Sequence, residues 1–175
     1  VTTTNTYADA GLQAVVDAAP DTDGETVTPD TPLAVSGAVV TYVGFARDGS
    51  STSTFWMADA NAAMRTFRAI PDDPLVTLEP GDVISFEATE LGNFRGDKQI
   101  TAMQNLTVDS QGESVYYKEL TDGSTIDYAT DGRYMALAWG EVISDDGQCG
   151  NGFNCYTVEQ GEASFTVRSF VGNGD

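Results

Sequence analysis

The chain has 175 residues, and its 27 aspartates and glutamates outnumber its 8 lysines and arginines, for a formal net charge of −19. Such a charge repels nucleic-acid phosphates and anionic membranes, so neither is expected as a partner. The sequence has no run of about 18 apolar residues, so no membrane insertion is predicted. Apolar residues make up 41% of the chain, which is enough for a folded core.

Residues 1–31 form an acidic N-terminal segment without lysine or arginine. Residues 9–18 favour a short helix because alanine, leucine and glutamine are good helix formers. Residues 20–30 have the composition of a linker. The first residues are rich in threonine and favour an extended strand, which predicts an assembly arm that docks on a neighbouring subunit. Its members are Thr2, Thr3, Thr4, Asn5, Thr6 and Tyr7.

Three acidic residues within this segment suggest calcium as the one candidate cofactor. Asp21, Asp23 and Glu25 alternate with other residues around Gly24, as in part of a calcium-binding loop. The remaining ligand positions of an EF-hand are missing. Two interpretations therefore stay open, a weak calcium site and a solvated acidic linker.

Five β-strands are predicted between residues 32 and 110. They cover residues 33–45, 55–58, 65–70, 83–91 and 99–108. A Pro80-Gly81-Asp82 turn precedes the fourth strand, and glycine-containing turns follow it. Pro71 and Pro74 argue against a helix between the third and fourth strands.

With the motifs PGDVISFEATE and GNFRGDKQI, residues 33–109 resemble OB-fold domains of secreted bacterial proteins and surface lipoproteins. The resemblance implies a five-stranded Greek-key barrel and an extracellular or cell-surface location. It also implies a ligand or subunit face on the second and third strands and the last hairpin. Aromatic residues there either stack on a ligand or fill the core or an interface. The candidate residues are Phe55, Trp56, Arg65, Phe67, Arg68, Phe94, Arg95 and Lys98.

Residues 111–175 predict a second, partial OB-like β unit. Its strands are expected at residues 115–117, 134–144, 154–158 and 163–171. No counterpart of the last two barrel strands follows, so the unit is expected to have open sheet edges. The fold class is therefore all-β, with one barrel and one smaller sheet.

Several features predict export. Cys149 and Cys155 are six positions apart in a turn rich in glycine and asparagine, which suits a loop-closing disulfide in an oxidising compartment. The sequence begins at Val1, so removal of a signal peptide is expected. Asn105-Leu106-Thr107 matches a glycosylation sequence, although within a predicted strand.

The absence of histidine from the sequence argues against an enzyme, because the Ser-His-Asp and Cys-His arrangements are unavailable. Two functions remain. The first is an exported structural protein that forms a homo-oligomer or polymer, as in an extracellular filament or surface layer, through strand addition by its arm. The alternative is a secreted OB-fold binding module for a carbohydrate, a small ligand or a protein.

Overall fold

The computed structural model describes residues 7–45, 51–67, 77–94, 96–116, 118–120, 135–137, 141–148, 153–160 and 163–170. These residues fall into two compact units, whose described parts are residues 7–116 and the strands from residue 118 onward. Strands dominate both units, which confirms the all-β prediction. Among the described residues, no helix has the length and hydropathy needed to cross a membrane.

Helix α1 and strands β1–β6 form the first unit, and strands β7–β11 form the second. Their bounds are α1 Leu12–Ala18, β1 Thr26–Val27, β2 Leu33–Phe45, β3 Ser51–Ala58, β4 Ala63–Thr66, β5 Val83–Phe94, β6 Asp97–Ser110, β7 Lys118–Leu120, β8 Met135–Leu137, β9 Glu141–Gln148, β10 Phe153–Gln160 and β11 Ala163–Phe170.

The first unit is a closed five-stranded barrel. Its strand order is β5-β2-β3-β4-β6, and β5 pairs with β6 to close the sheet. All pairings are antiparallel except β4 with β6, which is parallel. This mixed topology is compatible with an OB-like fold, so the predicted barrel is confirmed.

Alternation of buried and outward side chains builds the barrel wall. Along β5, Ile84, Phe86 and Ala88 point into the core while the residues between them are half-buried. Gly37 adopts a positive φ of 87° where the β2–β5 register shifts, because the strand must bend there to close the barrel.

The predicted Pro80-Gly81-Asp82 turn starts β5 as expected. A Cβ on Gly81 would lie 2.7 Å from the carbonyl oxygen of Glu113, so only glycine fits without movement. The buried Asp82 carboxylate accepts a hydrogen bond from the Glu79 N–H at 2.8 Å. The turn thereby fixes the entry of β5 into the barrel.

The described part of the acidic N-terminal segment folds onto the barrel of its own chain. Helix α1 confirms the predicted short helix, and its Leu12, Val15 and Val16 side chains belong to the barrel core. Strand β1 pairs with the end of β5 through Thr26 and Gly92. Residues expected to form a linker are therefore partly an extension of the sheet.

Strand boundaries in the barrel differ modestly from the sequence prediction. The third barrel strand, β4, covers Ala63–Thr66 rather than residues 65–70, and β6 continues to Ser110. Residues 68–76 lie outside the described residues. They include most of the connection between the third and fourth barrel strands, for which the sequence argues against a helix.

The second unit contains an antiparallel three-stranded sheet in the order β11-β10-β9. A separate pair, β7 and β8, runs parallel. The expected strand over residues 134–144 corresponds to β8 and the start of β9, while residues 138–140 are not among those described. The prediction of a smaller second β unit is thus confirmed.

Candidate functional site

Four side chains form a row across the outer surface of the barrel. Tyr42 on β2 is in register with Trp56 on β3, and Trp56 is in register with Arg65 on β4. Arg65 is in turn beside Gln99 on β6. Because Ile100 is buried in the core, alternation along β6 directs the Gln99 side chain away from the core, although other side chains cover it. We call this row, with the neighbouring residues Phe67, Phe94 and Asp97, the barrel face.

An aromatic pair lies at one end of the barrel face. The rings of Tyr42 and Trp56 meet edge to face with their centroids 5.3 Å apart. Tyr42 is exposed and Trp56 is half-buried, so both offer ring surface to solvent. Such amphipathic rings suit contact with a ligand that has both an apolar side and polar groups.

Arg65 is the charged centre of the barrel face. Its Nε atom forms an ion pair with the Asp97 carboxylate, and its guanidinium carbon lies 5.9 Å from the centre of the Phe67 ring. Burial raises the pKa of Asp97, and the nearby Arg65 charge opposes that rise without cancelling it. The pair therefore holds the guanidinium in place between aromatic neighbours.

Gln99 supplies a buried acceptor next to this cation. The side chain is only 7% exposed, and its Oε1 atom has no hydrogen-bond partner among the described residues. Buried amide oxygens are normally satisfied, so this atom stands out, and a ligand would reach it only after the side chains that cover it move. At the rim, Phe67 is 43% and Phe94 52% exposed.

The structure places two of the candidate residues away from the barrel face. Phe55 is fully buried in the barrel core, because it lies one residue before the outward-facing Trp56. Lys98 points to the end of the barrel, where its Nζ atom donates to the Val16 carbonyl at 3.2 Å and pairs with Asp21 at 2.8 Å. Arg68 and Arg95 lie outside the described residues.

Conversely, the structure adds Tyr42, Asp97 and Gln99 to the face. Tyr42 could have been found by extending the alternation of β2 beside Trp56. Asp97 and Gln99 depend on the parallel β4–β6 pairing, which brings together segments separated by a long connection. Sequence spacing carries no signal for that contact.

The N-terminal segment is held on its own barrel by a few well-defined contacts. The buried Asp59 carboxylate accepts hydrogen bonds from the Ala10 and Leu12 N–H groups, both at 3.0 Å. Further along, the Asn93 side chain donates to the Pro20 carbonyl at 2.9 Å. The acidic segment is therefore bound within the chain from Ala10 onward.

Tyr7 is the one residue of the predicted assembly arm that the structure describes. Its hydroxyl oxygen accepts a hydrogen bond from the Tyr116 N–H at 2.7 Å, and the two rings are 5.2 Å apart. Burial raises the pKa of the Tyr7 phenol. Tyr7 thus anchors the start of the described chain to the barrel unit, while the rest of the arm remains a prediction.

The structure does not bring the three suggested calcium ligands together. Within the described ranges, no group of three acidic, cysteine or histidine side chains is arranged to hold a metal ion. Asp21 is instead engaged by Lys98, whose hydrogen bond and charge lower the pKa of that carboxyl group. The choice between a weak calcium site and an acidic linker at Asp21, Asp23 and Glu25 therefore stays a prediction.

Apolar side chains are exposed on the three-stranded sheet of the second unit. Val142 and Ile143 on β9 are 60% and 48% exposed, and Val167 on β11 is 39% exposed. Both strands are hydrogen-bonded to β10, and neither has a second neighbour among the described strands.

Cys155 is buried on β10, but Cys149 is not among the described residues, so their disulfide stays a prediction.

The barrel and its face define a β-barrel domain compatible with an OB-like fold. No protein-family model matches the chain, and neither the curated proteins nor the solved structures include a significant match. Its function must therefore be argued from its own residues.

Proposed function

We propose that this chain is an exported structural protein that self-associates into an extracellular filament or surface layer. The observation that carries the proposal is the sheet β9–β10–β11, whose two outer strands each have one neighbour among the described strands and expose apolar side chains. An unpaired strand edge presents N–H and C=O groups that can hydrogen-bond to another chain.

The residues along these strands suit addition of a partner strand. In the middle of the sheet, Val158 is buried and stands in register with the exposed Val142 of β9. Along the other neighbour of β10, Val167 of β11 is in register with Tyr156. Apolar surface thus reaches both outer strands, where a neighbouring subunit would cover it.

The proposed donor is the threonine-rich start of the chain in a neighbouring subunit. Five residues, 2–6, precede the anchored Tyr7. An extended segment of that size reaches at most about 20 Å, so the recipient edge must lie close to Tyr7 of the donor. Main-chain hydrogen bonds would supply affinity, and alternate side chains would set the register.

Charge sets the conditions for this assembly. Subunits of net charge −19 repel each other, and salt weakens this repulsion because the Debye length shortens as the ionic strength rises. Salt should therefore promote association, and low ionic strength should favour the single chain.

Lysine substitutions on the sheet test the proposal. Val142→Lys with Val167→Lys places a charge on each outer strand and should abolish the large species that we expect the unmodified chain to form, as measured by electron microscopy and sedimentation. Asn61→Lys with Thr77→Lys adds the same charge at exposed positions of the barrel unit and should leave assembly intact. Since added lysines reduce net repulsion, loss of assembly only in the first variant cannot come from charge alone. Equal assembly by both variants would refute the proposal.

The barrel face supports a second candidate, a secreted binding module for a carbohydrate, a small ligand or a protein. The specific observation is the unsatisfied Gln99 oxygen beside Arg65 and the aromatic pair. The chain has two tryptophans, so Trp139→Phe leaves Trp56 as the only tryptophan, whose fluorescence then reports on the face. Saturable quenching by a soluble oligosaccharide, lost in Gln99→Ala, would favour this candidate, and its absence would count against carbohydrate as the ligand.

A further inference from the structure

The chain contains the sequence Asn-x-Ser/Thr once, at Asn105-Leu106-Thr107 in β6. Regular strands are poor places for such a site, because the acceptor must leave the ladder to reach a transferring enzyme. The local structure of β6 removes that objection.

A β-bulge lies at this position. Asn105 has a φ of 55° and is the one non-glycine residue with positive φ among those described. Opposite it on β5, Ser85 pairs with Thr107 and Glu87 pairs with Gln104, so two residues of β6 face one residue of β5. Asparagine tolerates this left-handed conformation better than most residues. The bulge turns the asparagine out of the regular ladder.

The surroundings of the bulge are open. Asn105 and Thr107 are exposed, whereas the half-buried Leu106 packs against the barrel core and holds the strand down. The pairing of β6 with β4 ends at Ile100 of β6. Beyond that residue, β6 has β5 as its only neighbour within the described residues. The Asn105 amide donates to the Glu87 carboxylate at 2.8 Å, which orients the side chain at the surface.

We infer that Asn105 is the attachment site of an N-linked glycan, an inference that rests on the export included in the proposed function. The donor is a lipid-linked oligosaccharide. The Asn105 Nδ2 atom forms a bond to the anomeric carbon of the first sugar, and the bond between that carbon and the lipid phosphate oxygen breaks. The phosphate leaves with the electron pair, and the amide loses one proton.

A glycan here has a consequence for assembly. The end of β6 is a further open strand edge in the described chain, besides those of β9 and β11, and a bulge with a bulky hydrophilic substituent blocks strand addition at such an edge. The glycan would thereby leave the sheet of the second unit as the surface available for association.

The test is mass spectrometry of the chain recovered from the surface or medium of the cells that make it. Trypsin releases residues 99–118, in which Asn105 is the only asparagine. The inference expects this peptide to carry the mass of a glycan, and enzymatic removal of the glycan should convert Asn105 to aspartate. An unmodified peptide alone would overturn it.

A second measurement tests the geometry directly. The folded full chain and the synthetic peptide 99–118 are each incubated with a lipid-linked oligosaccharide and a single-subunit oligosaccharyltransferase that accepts Asn-x-Ser/Thr. Transfer to both is expected, with loss of transfer in Thr107→Ala and retention in Thr107→Ser. Transfer to the peptide alone, or to neither, would show that the bulge is not an acceptor. Assembly of Asn105→Gln is measured separately, so failure of the glycan and failure of self-association remain distinguishable.

Discussion

The Asp59 carboxylate accepts a hydrogen bond from the Leu12 N–H at 3.0 Å, although 47 residues separate them in the sequence. The same carboxylate accepts bonds from Ala10 at 3.0 Å, Asn61 at 2.8 Å and Ala62 at 2.7 Å. One buried side chain thus satisfies backbone donors of both the α1 N-terminus and the β3–β4 turn. It ties the N-terminal segment to the barrel.

Replacing Asp59 should therefore loosen this connection. Asp59→Ala leaves four backbone N–H groups without that acceptor, and we expect the free energy of unfolding to fall by roughly 3 kcal/mol. Asp59→Asn keeps one acceptor oxygen and should cost less. Urea denaturation measures both, and amide hydrogen exchange should show faster exchange at Leu12 in each variant. Unchanged exchange at Leu12 would contradict the assigned role.

The contact between Lys98 and Asp21 predicts a pH effect. The hydrogen bond and the charge of Lys98 lower the folded-state pKa of Asp21. The contact therefore favours folding above the unfolded-state pKa, and this contribution is lost as the pH falls through the folded-state value. In Lys98→Met the pKa of Asp21 should rise towards its ordinary value, as measured by NMR titration. A pKa that does not move would mean that the ion pair is absent in solution.

Asp97 on the barrel face behaves in the opposite way. Burial raises its folded-state pKa, so its protonated form is favoured by folding. Stability contributed by this group therefore increases as the pH falls from the folded-state pKa towards the unfolded-state value. Arg65→Met should raise the pKa of Asp97 further, since the opposing positive charge is removed. Asp97→Asn serves as the control and should remove this part of the pH dependence in urea denaturation.

A disulfide between Cys149 and Cys155 remains a prediction from the sequence. It would close a short loop and stabilise the fold by about 2 kcal/mol in the chain-entropy model. Mass spectrometry without reduction should show the loss of two hydrogens, and thiol labelling of the folded chain should fail. Labelling of both cysteines in the folded, unreduced chain would rule the disulfide out.

Much of the barrel could be predicted because its signals are local. The turn at Gly81 and the strand that follows it depend on neighbouring residues, and the structure confirms both. By contrast, the role of Asp59 could not be predicted, because an acidic residue in a turn gives no sign of donors 47 residues away. For Phe55 the sequence left a ligand-facing and a core position open, and the structure places it in the core, since a single residue shift in a strand exchanges inward and outward faces.

The N-terminal segment shows the same limit. Its composition suggested a helix and an acidic linker, and the helix was correct. Its attachment to the barrel depends on Leu12 and Val15 filling the core, and composition alone does not specify which surface they cover. A deletion of residues 1–31 would therefore remove part of the core, so a test of the arm must stop before Tyr7.

Sedimentation velocity of the full chain and of a chain lacking residues 1–6 tests the central claim most directly, over a range of protein and salt concentrations. The full chain should form species that grow with both concentrations, while the truncated chain should keep its fold and remain a single chain, slightly lighter than the 18.5 kDa of the full chain. A full chain that stays monomeric throughout would contradict self-association, and a truncated chain that assembles equally well would contradict the role of the arm.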